Sequence, residues 1–153
     1  LLNQKPGLKL FSNVSFAGAA RLADSNHSQE NSLVDFGEEE FTLGRLHSML
    51  DPSLRNLRLL REAEDPETAI ILLDFVLGYG AHQDPAGAFL PVLAQMRSIA
   101  DRHGRSLTII ASIVGTDQDP QNRRYSATRL RDLGVLTAES NAQAVKLALA
   151  LIS

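Results

Sequence analysis

Thr68-Ala69-Ile70-Ile71-Leu72-Leu73-Asp74-Phe75-Val76-Leu77-Gly78-Tyr79-Gly80 decides the fold. The run is apolar almost without break and stops at two glycines. A strand of this kind is buried on both faces, as in a parallel sheet. Downstream, Asp84-Pro85 opens a long helix with Phe89, Leu90, Leu93, Met96 and Ile99 on one side, and His103-Gly104 closes it. The pattern then repeats. Leu107 to Val114 is a second buried strand ending at Gly115-Thr116, and Asp119-Pro120 begins a helix through Leu133. Gly134 suits the left-handed turn that ends such a helix. Val135-Leu136-Thr137 is a short strand, and Ser140-Asn141 caps a last helix carrying Ala144, Val145, Leu147, Ala148 and Leu151.

Upstream the signals are weaker. Gly7-Leu8-Lys9-Leu10-Phe11 reads as a strand ending at Ser12-Asn13. The small residues from Ser15 to Ala23 suit a helix packed closely on a sheet, and Ser32 to Phe36 reads as a strand stopped by Gly37. Glu38-Glu39-Glu40 is a solvated acidic run. Asp51 is placed to cap a helix with Pro52 at its first position, followed by Leu54, Leu57 and Leu60 at helical spacing. Strand and helix thus alternate along the whole chain. This predicts an α/β fold in one domain over residues 1–153, a five-stranded parallel sheet between two helix layers. The flavodoxin-like strand order 2-1-3-4-5 is the expected arrangement.

Composition narrows the function. A net charge of −3 supplies no basic field for nucleic acid or an anionic membrane. The absence of cysteine excludes disulfides, thiolate metal sites and cysteine nucleophiles. No run approaches the ~18 apolar residues of a membrane span, and the N-terminus lacks the pattern of a secretory signal. These features point to the cytoplasm. The first residue is Leu rather than Met, as in a fragment or subunit of something larger.

In open parallel sheets, ligands bind beyond the carboxyl ends of the strands. Chain order therefore nominates the loops holding Ser12, Gly78 and Gly80, Gly115, Thr116 and Asp117, and Ser140 and Asn141. Each leads toward a helix N-terminus, whose free N–H groups and dipole favour an anion. A small anionic substrate, phosphate or carboxylate, is the expectation. Ser12, Ser15, Ser140 and Asn141 also read as helix caps, as do Asp84 and Asp119 before proline. His82, in the loop after the strongest strand, is a candidate acid, base or ligand contact, set against the plainer reading of a surface histidine. Asp74 is the unusual residue, because an acid inside a buried strand must be hydrogen-bonded, paired or protonated. No Gly-x-Gly-x-x-Gly, no phosphate-binding Gly-x-x-x-x-Gly-Lys and no Gly-x-Ser-x-Gly elbow is present. The four histidines lack zinc spacing, so no metal ligands are assigned, and loop carboxylates are the one route to Mg²⁺.

Gly44-Arg45-Leu46-His47-Ser48-Met49-Leu50-Asp51-Pro52-Ser53-Leu54-Arg55-Asn56, the stretch from Leu73 to Gly87, Gly115-Thr116-Asp117-Gln118-Asp119-Pro120-Gln121 and Ser140-Asn141-Ala142-Gln143-Ala144 resemble FdrA-type proteins. These are a branch of the succinyl-CoA synthetase (acyl-CoA ligase) superfamily. The resemblance implies a ligase-type flavodoxin-like domain within a larger, oligomeric enzyme, normally preceded by a Rossmann-like CoA-binding domain. CoA or a nucleotide would enter only in that full assembly. It also implies a phosphorylated histidine in a Gly-His-Ala-Gly loop after the fourth strand. Here Gly115-Thr116 runs to Asp119-Pro120 with no histidine. Asp74 falls where the ligases carry a glutamate supporting that histidine. Ser12 falls at their Ser-Gly-Thr turn, which here reads Val14-Ser15-Phe16. FdrA-type proteins are linked to carbamoyl transfer, and carbamoyl phosphate is itself an acyl phosphate. The leading expectation is an acyl-CoA synthetase-like domain handling an acyl or carbamoyl phosphate, with Asp74 and His82 moving protons or positioning groups. The alternative is a non-catalytic domain completing a partner's site. A receiver-like signalling domain fits poorly, because its first strand would need acidic residues where Phe11-Ser12 stand.

Overall fold

The strands foreseen around Asp74 and Ser112 are the longest in the chain: β4 (Ile70–Val76) and β5 (Thr108–Val114), paired in parallel along their whole length. A computed structural model of the protein describes residues 1–2 and 5–152. The described residues divide into two compact units, Leu1–Ser48 and Met49–Ser153.

In the second unit β6 (Leu136–Ala138) adds to β5, giving a parallel sheet of order β4-β5-β6. Helices α2 (Ser53–Glu64), α3 (Pro85–Arg102) and α4 (Arg123–Asp132) contribute to the main core. Leu59, Phe89, Leu93, Met96 and Leu130 meet the strand residues Ile71, Leu73, Phe75, Ile109, Ala111 and Ile113 there. Burying each large apolar side chain contributes roughly 1.5–3 kcal/mol, which is why these helices settle on this face. The other face is thinner. Among the described residues of this unit, α5 (Asn141–Leu151) is the helix that packs on it, through Ala144 and Ala148 against Ile110, Ala138, Ile70 and Leu72. Leu147 and Leu151, expected to pack with them, are exposed.

The start signals in this unit act as their chemistry dictates, with two shifts. Asp84 caps α3 by accepting the Gly87 N–H at 2.8 Å, with Pro85 at the first position. Ser140 caps α5 through the Gln143 N–H at 3.3 Å. Helix α2 starts one residue late, at Ser53, whose N–H donates to Asp51. Helix α4 starts later than Asp119-Pro120 suggested. Asn122 is its cap, accepting the Tyr125 N–H at 2.9 Å from a backbone with φ of 50°, a conformation asparagine tolerates better than most residues. Asp119 is engaged elsewhere, holding the Thr116 N–H at 2.6 Å and the Thr116 hydroxyl at 3.0 Å.

The first unit departs further from expectation. Its sheet has three short parallel strands in the order β2-β1-β3: β1 (Leu10–Ser12), β2 (Ala20–Arg21) and β3 (Asn31–Leu33). The stretch Ser15–Ala23 forms turns and β2 instead of a helix. The single five-stranded sheet of order 2-1-3-4-5 is therefore not formed; the described residues make two three-stranded parallel sheets. The physical reason lies in β1, whose two edges are filled by β2 and β3. The glutamate run is also more than a loop: Glu39–Thr42 is the one-turn helix α1, with Phe41 buried.

Candidate functional site

Asp74 stands on the thin face of the second sheet, near the carboxyl end of β4. The expectation of burial is not met, since this residue is exposed. Strand residues alternate faces, and on β4 the apolar cover from α5 falls on Ile70 and Leu72, so the position two residues later lies beyond that cover. Its carboxylate is nevertheless held from two sides. The buried Ser112, its partner on β5, donates its hydroxyl to Oδ1. The amide of Asn141, at the start of α5, donates to Oδ1 at 3.1 Å and Oδ2 at 2.9 Å. An ionised carboxylate offers several acceptor sites, so this grip fixes the group and leaves it able to accept more. Asn141 is thus a carboxylate holder, while the capping falls to Ser140 beside it. Ser112 was missed from the sequence, because a serine inside an apolar strand gives no signal until its cross-strand partner is known.

The loop after β4 is fastened by a residue that also escaped notice. Gln121, buried just ahead of α4, accepts the Gly78 N–H at 2.9 Å. It also donates to the Gly78 carbonyl at 2.9 Å and the His82 carbonyl at 3.0 Å. His82 donates its own N–H to the Met49 carbonyl at 2.7 Å. Its Nδ1 accepts the Asp84 N–H at 3.0 Å, which leaves Nε2 to carry the proton of a neutral ring. Beyond it, Arg129 grips both oxygens of Asp84 at 2.8 Å. Burial works against that carboxylate, but the Arg129 and Gly87 hydrogen bonds and the arginine charge hold it below the usual carboxylate range. Gly80 lies exposed in the same loop.

The loop after β5 is committed to itself. Gly115 has φ of 149°, and a Cβ there would stand 2.7 Å from that of Leu77, so only glycine fits. Thr116 is bound to Asp119 as described, and Asp117 receives the Arg124 N–H at 2.8 Å. In the first unit Ser12 is buried and its hydroxyl accepts the Val14 N–H at 3.1 Å, a local turn with no helix after it. Beside it Asn13, read in the sequence only as part of the turn that ends the strand, joins the ends of β1 and β3. It donates to the Asp35 carbonyl at 2.9 Å and accepts the Asp35 N–H at 2.8 Å.

On the opposite face of the second sheet, at the carboxyl ends of β5 and β6, lies a cavity of about 330 Å³. Arg123, Arg124 and Arg131 of α4 line it with Thr137, Asp117 and Glu139. Arg123 pairs with Glu139 at 2.8 Å and Arg124 with Asp117 at 3.1 Å. Among the described residues, Arg131 meets only the hydroxyls of Thr128 and Thr137. Three guanidiniums against two carboxylates leave the lining one charge positive in a chain of net charge −3. The first turn of α4 holds no acid and two arginines, the reverse of what the helix dipole favours. An anion in the cavity would reverse that penalty. The signal Arg123-Arg124 was present in the sequence, but it acquired meaning only when the start of α4 moved from Pro120 to Arg123.

Among the described residues no three His, Asp or Glu side chains gather as metal ligands, and no helix is long and apolar enough to cross a membrane. A family model described as CoA-ligase matches residues 15–151. The chain belongs to the CoA-ligase family. This CoA-ligase chain is also 41% identical over 132 residues to the uncharacterized protein YahF of Escherichia coli (strain K12). That match covers 86% of the chain and 26% of YahF, so the chain spans about a quarter of the length of its relative. The succinyl-CoA synthetase-like superfamily expected from the loops is thereby shown. The cavity, the held Asp74 and the fastened loop after β4 all lie within the residues that this family model matches.

Proposed function

We propose that this chain is the ligase-type domain of a larger, FdrA-type CoA-ligase-family enzyme, and that it binds an acyl phosphate or carbamoyl phosphate at the carboxyl ends of its strands. The observation that carries the reading is the arginine-lined cavity at the ends of β5 and β6. Arginine forks match the oxygens of phosphate and carboxylate groups, and the cavity offers three of them in a chain that is otherwise acidic. On the opposite face Asp74 is a positioning group or proton acceptor, aligned by Ser112 and Asn141. His82 presents Nε2 as a proton donor. Gly115-Thr116 and the residues after it offer no histidine to phosphorylate, so the acceptor's nucleophile bonds to the carbonyl carbon of the acyl or carbamoyl phosphate, the C–O bond to phosphate breaks and inorganic phosphate leaves. CoA, nucleotide and Mg²⁺ are assigned to the remainder of the assembly, whose CoA-binding part would be a separate Rossmann-like domain in the cytoplasm.

The test is thermal unfolding of the full-length protein with inorganic phosphate, carbamoyl phosphate or CoA. A ligand of the folded state alone adds about 2.7 kcal/mol at a hundredfold excess over its dissociation constant. Selective stabilisation by carbamoyl phosphate, lost in Arg131→Ala, supports the reading. No stabilisation by either phosphate, or an equal effect in wild type and variant, overturns it. The rival reading, a domain that only completes a partner's site, would show the same blank result together with normal assembly.

A further inference from the structure

Arg55 lies in the first turn of α2, on the face of the second unit away from α5, and nothing derived so far uses it. Its guanidinium stands 5.2 Å from the centre of the Phe75 ring, inside the main core. Nε and Nη2 are both buried, and neither has a hydrogen-bond partner among the described residues. Burial lowers the pKa of the group. Two buried donors left without partners on a half-buried cation are costly, and proteins rarely leave such donors unpaired.

The identity of the two orphans is informative. Nε–H and the neighbouring Nη2–H form the side edge of the guanidinium, two parallel donors spaced to meet two oxygens of one anion. The ring of Phe75 lies against the guanidinium, and this edge is the part of the group that is buried without a partner. The neighbour Asn56 has its Oδ1 buried and unpaired as well, while its Nδ2 donates to the Ala88 carbonyl at 3.2 Å. The residues leading into α2, Leu50-Asp51-Pro52-Ser53, hold the backbone in place, with Asp51 accepting the Ser53 N–H at 3.0 Å.

We infer that Arg55 anchors an anion site, separate from the strand-end cavity, that takes a two-oxygen anion edge-on through Nε and Nη2. The chemical class is a small carboxylate or a phosphoryl group. The inference does not depend on the strand-end reading, because the two rest on different arginines and different helices.

The experiment is NMR of the arginine Nε–H resonances of the full-length protein, with Arg55 assigned by its loss in Arg55→Lys. Acetate, malonate and inorganic phosphate are titrated against chloride at constant ionic strength. A saturable downfield shift of the Arg55 Nε–H is expected with at least one of them. Malonate or acetate acting alone identifies a carboxylate site, and phosphate alone a phosphoryl site. Thermal unfolding gives a second reading. In chloride, Arg55→Met melts at or above the wild-type temperature, because it removes an unpaired buried charge; in the active anion the wild type rises and the variant does not. Arg131→Ala keeps the Arg55 response, which separates failure here from failure at the cavity. An Arg55 Nε–H already shifted and unresponsive to every anion means that an acid elsewhere in the protein or a fixed water holds it, and the inference falls. It falls equally if Arg55→Met lowers the melting temperature by the same amount in all three anions and in chloride.

Discussion

The two faces of the β4-β5-β6 sheet are built on different terms. On one, side chains from three helices close over Ile71, Leu73, Phe75, Ile109 and Ile113. On the other, α5 lays two alanines on the lower part of the sheet and leaves Asp74 and Val114 open above them. The two faces differ in composition as well: these strands turn only apolar residues to the thick face, whereas the thin face mixes Asp74, Thr108 and Ser112 with apolar ones. They differ also in how much helix the chain brings to each, and chemistry is concentrated where cover stops. On the open part of the thin face, water can complete the hydrogen bonds of a carboxylate. One turn lower it would need a full set of partners.

Substitutions can break or sharpen this contrast. The largest effect is expected for Phe89→Ala, which empties a fully buried position on the thick face. The loss should be about 3–5 kcal/mol in denaturant unfolding. Ile110→Ala probes the covered part of the thin face. Ile110 is fully buried against the α5 alanines, so a loss of roughly 2–4 kcal/mol is expected. A loss below 1 kcal/mol would show that α5 is not held there in solution. Asp84→Asn weakens a cap and its Arg129 pair, and should cost about 1 kcal/mol near neutral pH. The pH dependence has a definite sign. The folded state holds this carboxyl below its ordinary value, so its contribution is complete above the ordinary carboxylate range and is lost as pH falls through the lowered value. The gap between wild type and variant should therefore close in acid and stay constant from pH 6 upward (about two units above a free aspartate). The smallest effect is expected for Val114→Ala. Its neighbour Ile113 is buried on the thick face, whereas Val114 is 55% exposed, so the change should stay within about 0.5 kcal/mol. A larger loss would mean that another part of the protein covers this position.

How much of this the sequence revealed depends on whether the deciding interaction was local. Asp84 and Ser140 bond N–H groups three residues away, so their roles were readable from spacing alone. Gly134 ended α4 for a similar reason. The apolar runs of β4 and β5 gave the two long strands, but apolarity cannot say which face a helix will cover, and Asp74 was misplaced into the interior. Asp119 was misread because its oxygens are taken by Thr116 upstream, a competition invisible in the dipeptide Asp-Pro. The first unit was the least legible. Its strands are two or three residues long, too short to carry a period, and small residues such as Ala17, Gly18, Ala19 and Ala20 suit a close-packed helix and a tight turn equally. Ser112 and Gln121 in the second unit, and Asn13 in the first, all act on residues more than twenty positions away, beyond the reach of any local motif.

The grip of Gln121 has a consequence for timing. One amide ties the approach to α4 to both ends of the Gly78–His82 segment, so neither piece can swing out while the other stays. Solvent should then reach the Gly78 amide only in an opening that frees Gln121 as well. Hydrogen exchange at Gly78 and at the backbone around Gln121 would proceed at one common rate, a single latch released in one motion.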